Sequence, residues 1–252
     1  MKTSFLSAAA LCAAALALPA HANTITLDFE GLGVKQSVNG AEAIIEGVGD
    51  FYNGGLGADG SGPGVDFGVT FSDNALAIQD ADVDPSLPFN SGNFGGEPTP
   101  DTVLFFLTGS AATISFASGF DTGFSFFYSS INFTGSIDVY SEVDATGTLL
   151  ASLQLPTTPF NGAPDPTGQF SPFVPIGVSF DGIAKSIDFG GTINQIGFDN
   201  ITFGSATPGD VGTVPGGTSV IPLPAGMPLM IGALALLGGL HRRKSLAAPA
   251  RG

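Results

Sequence analysis

The sequence predicts an all-β domain, an antiparallel β-sandwich of jelly-roll-like form. Three observations carry that expectation. Short runs rich in Phe, Ile, Val and Thr recur between clusters of Gly, Pro, Asn and Asp. Within them apolar and polar residues alternate, as where Ile137 and Val139 interleave with Ser136, Asp138 and Tyr140. A period of two places one face on a core and the other in solvent. No stretch of the domain shows helical periodicity, and punctuation every ~8–12 residues is the spacing of a sandwich.

The 252-residue chain divides into five segments. Residues 1–22 read as a signal peptide: Lys2, an apolar run from Phe5 to Leu18, then Ala20-His21-Ala22 as the cleavage site, with the cut after Ala22. Residues 23–203 form the ectodomain, large enough for its own core. Residues 204–220 are a linker, 12 of 17 being Gly, Ser, Thr or Pro. Residues 221–244 hold an apolar run, Ile221 to Leu240, and then Arg242, Arg243 and Lys244. Twenty residues of helix reach about 30 Å, the thickness of a hydrocarbon core, and a basic cluster holds its end on the cytoplasmic side. One C-terminal transmembrane helix follows, with 245–252 as a cytoplasmic tail.

The expected strands, in order, are 24–30, 66–72, 102–108, 112–118, 123–130, 135–143, 148–155, 173–180, 185–191 and 195–203. Long loops at 50–66 and 80–101 give the sandwich one elaborated end. The 22 Phe, mostly at alternating strand positions, read as core.

Charge excludes several functions. All 22 acidic residues lie between Asp28 and Asp210, and residues 23–220 carry two Lys, no Arg and a net charge of −20. Nucleic acid is not an expected partner of such a surface. The same stretch has no His, Cys, Trp or Met. A Ser-His-Asp triad, a Cys-His pair and a His/Cys zinc site are therefore ruled out within it. What remains is oxygen chemistry, which suits hard cations such as Ca²⁺. Carboxylate-based glycoside hydrolysis is compatible with this composition, but 22 acids give many chance pairs. The expected protein is not an enzyme.

Asp80, Asp82 and Asp84 stand at i, i+2 and i+4, as at the start of an EF-hand loop. Pro85 and Ser91 occupy the positions of its Gly and Glu. The cluster is either a Ca²⁺ site or a solvated acidic loop. Gly54-Gly55-Leu56-Gly57-Ala58-Asp59-Gly60-Ser61 comes near a calcium-binding nonapeptide but occurs once, and reads as a flexible loop. Asp121-Thr122-Gly123 matches the aspartic-protease tripeptide without a second copy, and reads as a strand-start turn.

Two resemblances add to these readings. Ile221-Pro222-Leu223-Pro224-Ala225, the apolar run and the basic cluster resemble the PEP-CTERM sorting signal in its VPLPA variant, with Ile221 in place of the usual Val. That resemblance implies processing by an exosortase, a membrane transpeptidase. It also implies an inner-membrane precursor and a final place at the surface or in the exopolysaccharide matrix of a Gram-negative bacterium. Residues 51–76 and 93–109 are similar to PEP-CTERM ectodomains and imply no mechanism. LDFEGL (27–32) and GFDNITFG (197–204) resemble the terminal strands of carbohydrate-binding-module-like jelly rolls. By that resemblance Glu30 and Asp199 would be ligands of a structural Ca²⁺; otherwise they are exposed strand-end carboxylates. The leading expectation is an exported surface or biofilm-matrix protein with a structural or interaction sandwich. The alternative is a Ca²⁺-dependent carbohydrate-binding module acting on exopolysaccharide, and last comes a polysaccharide-degrading enzyme.

Overall fold

The computed structural model describes residues 24–38, 41–81, 92–108, 112–161, 168–190 and 195–209. The signal peptide with Ala20 and Ala22, Asp82 and Asp84, the sorting motif and the basic cluster lie outside these residues. The described residues all fall within one compact unit, Met1–Gly212. Among them no helix is long and apolar enough to cross a membrane.

Among the described residues thirteen strands form the fold, and their pairings are all antiparallel. They are β1 (Ile25–Leu27), β2 (Val34–Val38), β3 (Ala41–Gly47), β4 (Val69–Phe71), β5 (Ala75–Gln79), β6 (Thr102–Phe106) and β7 (Thr113–Phe120). Then come β8 (Gly123–Ser129), β9 (Gly135–Glu142), β10 (Thr146–Leu155), β11 (Val174–Ser179), β12 (Ala184–Gly190) and β13 (Gly197–Phe203). One sheet has eight strands, in the order β11-β8-β13-β6-β5-β3-β2 with β1 also on β13; the other runs β10-β9-β12-β7-β4.

The expected strands are all present. β2, β3 and β5 are additions. Their sequences, VKQSV, AEAIIEG and ALAIQ, are rich in Ala, Glu, Lys and Gln. Such residues are depleted in strands, and tertiary pairing with neighbours overrides that preference here.

Phenylalanine joins the two sheets. Phe189 of β12 meets Phe198 of β13 edge to face, with ring centroids 4.9 Å apart. Phe106, Phe124 and Phe126 surround that pair, and Phe116, Phe120 and Phe203 extend it. Edge-to-face contacts bring the positive rim of one ring to the negative face of the next.

β13 changes neighbours along one edge. It pairs β6 at Phe198↔Leu104 and β1 from Ile201 to Phe203. On its other side the register with β8 shifts between Asp199 and Thr202, and Asn200 has φ of 48°. A bulge at that point re-aims side chains. The end of β1 and the start of β6 therefore meet beside Asp199.

Candidate functional site

At that junction three segments converge: Asp28 to Glu30 after β1, Thr99 to Thr102 before β6, and Asp199-Asn200 on β13. Glu30 Oε1 accepts the backbone N–H groups of Asp101 (3.0 Å) and Thr102 (2.9 Å). Asp199 Oδ2 accepts the N–H of Thr99 (3.1 Å), and its Oδ1 accepts the N–H of Asn200 (2.7 Å). Asp28 Oδ1 accepts the N–H of Glu30 (3.3 Å) and lies 3.5 Å from the Tyr52 hydroxyl. That hydroxyl in turn accepts the N–H of Phe29 (2.6 Å).

The Thr99 hydroxyl oxygen has four acceptor oxygens around it. Asp199 Oδ2 is at 2.8 Å, Asp199 Oδ1 at 2.9 Å, the Asp28 carbonyl at 3.3 Å and Asn200 Oδ1 at 3.4 Å. A hydroxyl has one proton to donate. That proton is shared among four oxygens, of which the two Asp199 carboxylate oxygens also accept the backbone N–H groups of Thr99 and Asn200.

The electrostatics agree. Asp199 is fully buried, and that burial pushes its carboxyl well above the usual carboxylate range, against the hydrogen bonds from Thr99 and Asn200. Burial also raises Asp28 and Glu30, and the negative charges of Asp28 and Asp101 raise Glu30 further. The two lysines of the described residues are engaged elsewhere, Lys35 with Glu42 (2.7 Å) and Lys185 with Glu142 (2.9 Å). A buried carboxylate needs a proton or a cation. Oxygen donors alone suit Ca²⁺. Among the described residues no three acidic side chains gather closely enough to hold an ion by carboxylates alone. An ion here would draw on Asp199 and Glu30 together with carbonyl, amide and hydroxyl oxygens of Asp28, Asn200 and Thr99.

Glu30 and Asp199, singled out in the sequence, thus grip the same Thr99–Thr102 segment. Asp199 is not exposed, and Glu30 is only partly so. Asp80 is nearly buried at the end of β5. Its N–H donates to Asp101 O (2.8 Å), and its Oδ1 accepts the N–H of Ala81. Asp121-Thr122-Gly123 forms the turn from β7 to β8, with Thr122 at φ 74°.

The Gly-rich stretch at 54–61 has a fixed structure built on Glu46. That buried carboxylate accepts the N–H groups of Gly33 (3.0 Å), Asp59 (2.8 Å) and Ser61 (3.0 Å). Burial raises its pKa, but the hydrogen bonds from Ser61, Gly33 and Asp59 outweigh it and the net direction is down. A Cβ on Gly57 would collide with Glu46 Oε1, so glycine permits the close approach.

The second feature is a groove on the outer face of the eight-stranded sheet. Ile78, Val103, Phe105 and Gly197 form its floor, and Phe94, Phe170 and Phe173 its walls. Asn93 and Gln195 also line it, with Asn93 Oδ1 accepting the N–H of Gln169 (3.0 Å). Its volume is about 110 Å³. These phenylalanines are not part of the core between the sheets: Phe94, Val103 and Phe173 make a separate cluster with Ile78, Phe127 and Phe170. The lining residues Gly197 and Val103 are neighbours in sequence of Phe198 and Thr102, so groove and junction share β13 and β6.

No family model and no curated protein matches this chain. Among solved structures it is similar to CsCBM6-3 from Clostridium stercorarium in complex with cellobiose, with 16% identity over 43% of this chain and 78% of that one, at a TM-score of 0.29. It is also similar to CBM35 from Paenibacillus barcinonensis, with 16% identity over 55% of this chain and 94% of that one, at a TM-score of 0.31.

Proposed function

We propose that this chain is an exported, non-catalytic surface or matrix protein whose sandwich binds polysaccharide in the phenylalanine groove, with Ca²⁺ at the β1–β6–β13 junction as a structural brace. The groove carries the proposal. Aromatic walls offer apolar faces to the C–H face of a sugar ring, and Asn93 and Gln195 offer amides to its hydroxyls. Its volume is below the ~300 Å³ of ordinary small-molecule sites, so it suits one ring of a chain rather than an oligosaccharide.

The brace explains a dependence on Ca²⁺. The Thr99–Thr102 segment leads straight into β6, whose Val103 and Phe105 line the groove. Among the described residues β6 is registered to β13 at Phe198↔Leu104. Fixing Thr99 to Asp199 therefore fixes the relation between the groove's two central strands. An acidic polysaccharide would need further bridging Ca²⁺, because residues 23–220 carry a net charge of −20.

Delivery rests on residues 221–244, read as an exosortase-type sorting signal. Deleting 221–252 should release the domain in soluble form, and unchanged localisation would remove this part of the proposal. Binding is tested by retention of the protein on neutral and acidic polysaccharides. Retention is expected on at least one of them, with loss on Phe170→Ala; no retention on any refutes it.

A further inference from the structure

Strands at sheet edges expose unpaired N–H and C=O groups, and proteins blunt them with brevity, lysine, proline or bulges. Four strands end the strand paths of the two sheets, β11 and β2 in one, β10 and β4 in the other, and the three-residue β1 pairs β13 off that path. Three of them carry such a device. β4 has three residues, β2 carries Lys35 and β11 carries Pro175. β10 is different. It is ten residues long, TGTLLASLQL, and has neither charge nor proline.

The bulges in β10 are confined to its first half, with register shifts between Thr146 and Leu149 and between Leu149 and Ala151. From Ala151 to Leu155 it pairs regularly with β9. Among the described residues, the backbone of 149–155 makes no hydrogen bond beyond β9. Leu149 is 51% exposed, and Ser152 and Gln154 are exposed as well.

We propose that β10 pairs antiparallel with β10 of a second copy of this chain, joining two five-stranded sheets into one of ten strands. The strand is self-complementary. Centred on Leu153, the pairing sets Ala151 opposite the copy's Leu155 and Ser152 opposite its Gln154. Apolar residues then continue the face that lies on the core, and polar residues continue the outer face. Such pairing is isologous and closes on itself.

Charge selects this partner. Any like-charged edge of so acidic a domain would repel its copy, whereas β10 brings no charge to the contact. The nearest acid behind it is Asp138, opposite Ser152 on β9. Three strand spacings of ~4.8 Å and an offset of two residues along the strands part Asp138 from its copy, about 16 Å in all and beyond the Debye length of physiological salt. β10 itself carries no acid for a basic strand to pair with, and the Asp138 carboxylate behind it accepts the Ser152 hydroxyl.

The test is thiol cross-linking of the full chain in detergent, with Cys12→Ser removing the one native cysteine. Ser152→Cys is compared with Asn53→Cys, an exposed site in the 50–66 loop. A short thiol–thiol cross-linker should give covalent dimer at 152 and none at 53. Adding Leu149→Lys and Gln154→Lys should abolish the dimer at 152. If that variant folds poorly, amide exchange on the unaltered chain decides: protection at 151–155 should rise with protein concentration. No dimer at 152, equal dimer at both sites, or protection independent of concentration overturns the proposal.

Discussion

The Thr99 hydroxyl lies 2.8 and 2.9 Å from the two carboxylate oxygens of Asp199, with the Asp28 carbonyl and the Asn200 amide oxygen completing a ring of acceptors. Thr99 precedes β6 and Asp199 lies on β13, a hundred residues apart, yet their contact closes the gap where β1 gives way to β6. The Asp199 oxygens also accept the backbone N–H groups of Thr99 and Asn200, and the carboxylate is fully buried. Under the proposed function a cation and a proton would compete for that cluster, which leads to the first prediction.

In chelator, the domain should be more stable in mild acid than at neutral pH. The folded pKa values of Asp199, Asp28 and Glu30 are raised by burial, so the native state holds more protons than the unfolded chain. The stability that these three groups contribute is then fully present below the ordinary carboxylate range and declines as pH rises through the raised folded values. Saturating Ca²⁺ should remove that decline. At a hundred times its dissociation constant the ion adds about 2.7 kcal/mol, a rise of roughly 5–10 °C for a domain of this size. Thermal melts at pH 5 and 7.5, with Ca²⁺ and with chelator, measure both effects. Asp199→Asn should melt at the same temperature with or without the ion.

Glu46→Gln should destabilise the domain at neutral pH by about 1–3 kcal/mol, because a charged acceptor for three backbone N–H groups becomes neutral. Its folded pKa is lowered, so this stabilisation is present above the ordinary glutamate value and is lost as pH falls through the folded one. Denaturant melts of both proteins should therefore converge in acid. A neutral-pH midpoint unchanged by the substitution would show that the 54–61 loop does not depend on Glu46.

Asp138 and Asp188 stand directly opposite each other on β9 and β12. Burial, and then the charge of Asp138, raise the Asp188 carboxyl, whose buried Oδ1 has no hydrogen-bond partner among the described residues. Like charges in a cross-strand pair cost roughly 0.2–1 kcal/mol. Asp138→Asn should raise the neutral-pH melting temperature slightly, with the gain disappearing once Asp188 is protonated. A lower melting temperature at neutral pH would contradict this.

Gly197→Val should close the groove and leave the fold intact. Its φ is not in the left-handed region, and a Cβ there meets Phe173 at 3.4 Å and Val103 at 3.7 Å, both ordinary contacts. Valine also suits a strand. Polysaccharide retention should be lost while the melting temperature holds. Retention by a folded Gly197→Val protein would place the binding surface elsewhere.

The strands rich in Phe, Ile, Val and Thr were legible because their alternation and turns act locally. β2, β3 and β5 were not, since Ala, Glu and Gln become strand residues there through their partners. Glu30 and Asp199 were singled out through the resemblance of LDFEGL and GFDNITFG. Thr99 had no local signal: it joins the cluster only because β6 and β1 share one edge of β13. The phenylalanines of the groove looked like core because alternation reveals that a face is buried and not which layer covers it. Phe105 and Phe127 point away from the other sheet, where Phe94, Phe170 and Phe173 gather over them. Ser61 and Asp59 looked like parts of a flexible loop because their common partner, Glu46, lies on β3.

The most direct test is affinity electrophoresis of the protein through gels containing neutral or acidic polysaccharide, run in Ca²⁺ and in chelator beside Asp199→Asn. Ca²⁺-braced binding predicts retardation in at least one polysaccharide with Ca²⁺, and its loss both in chelator and in the variant. Equal mobility in every gel, or retardation that chelator and Asp199→Asn leave unchanged, would contradict it.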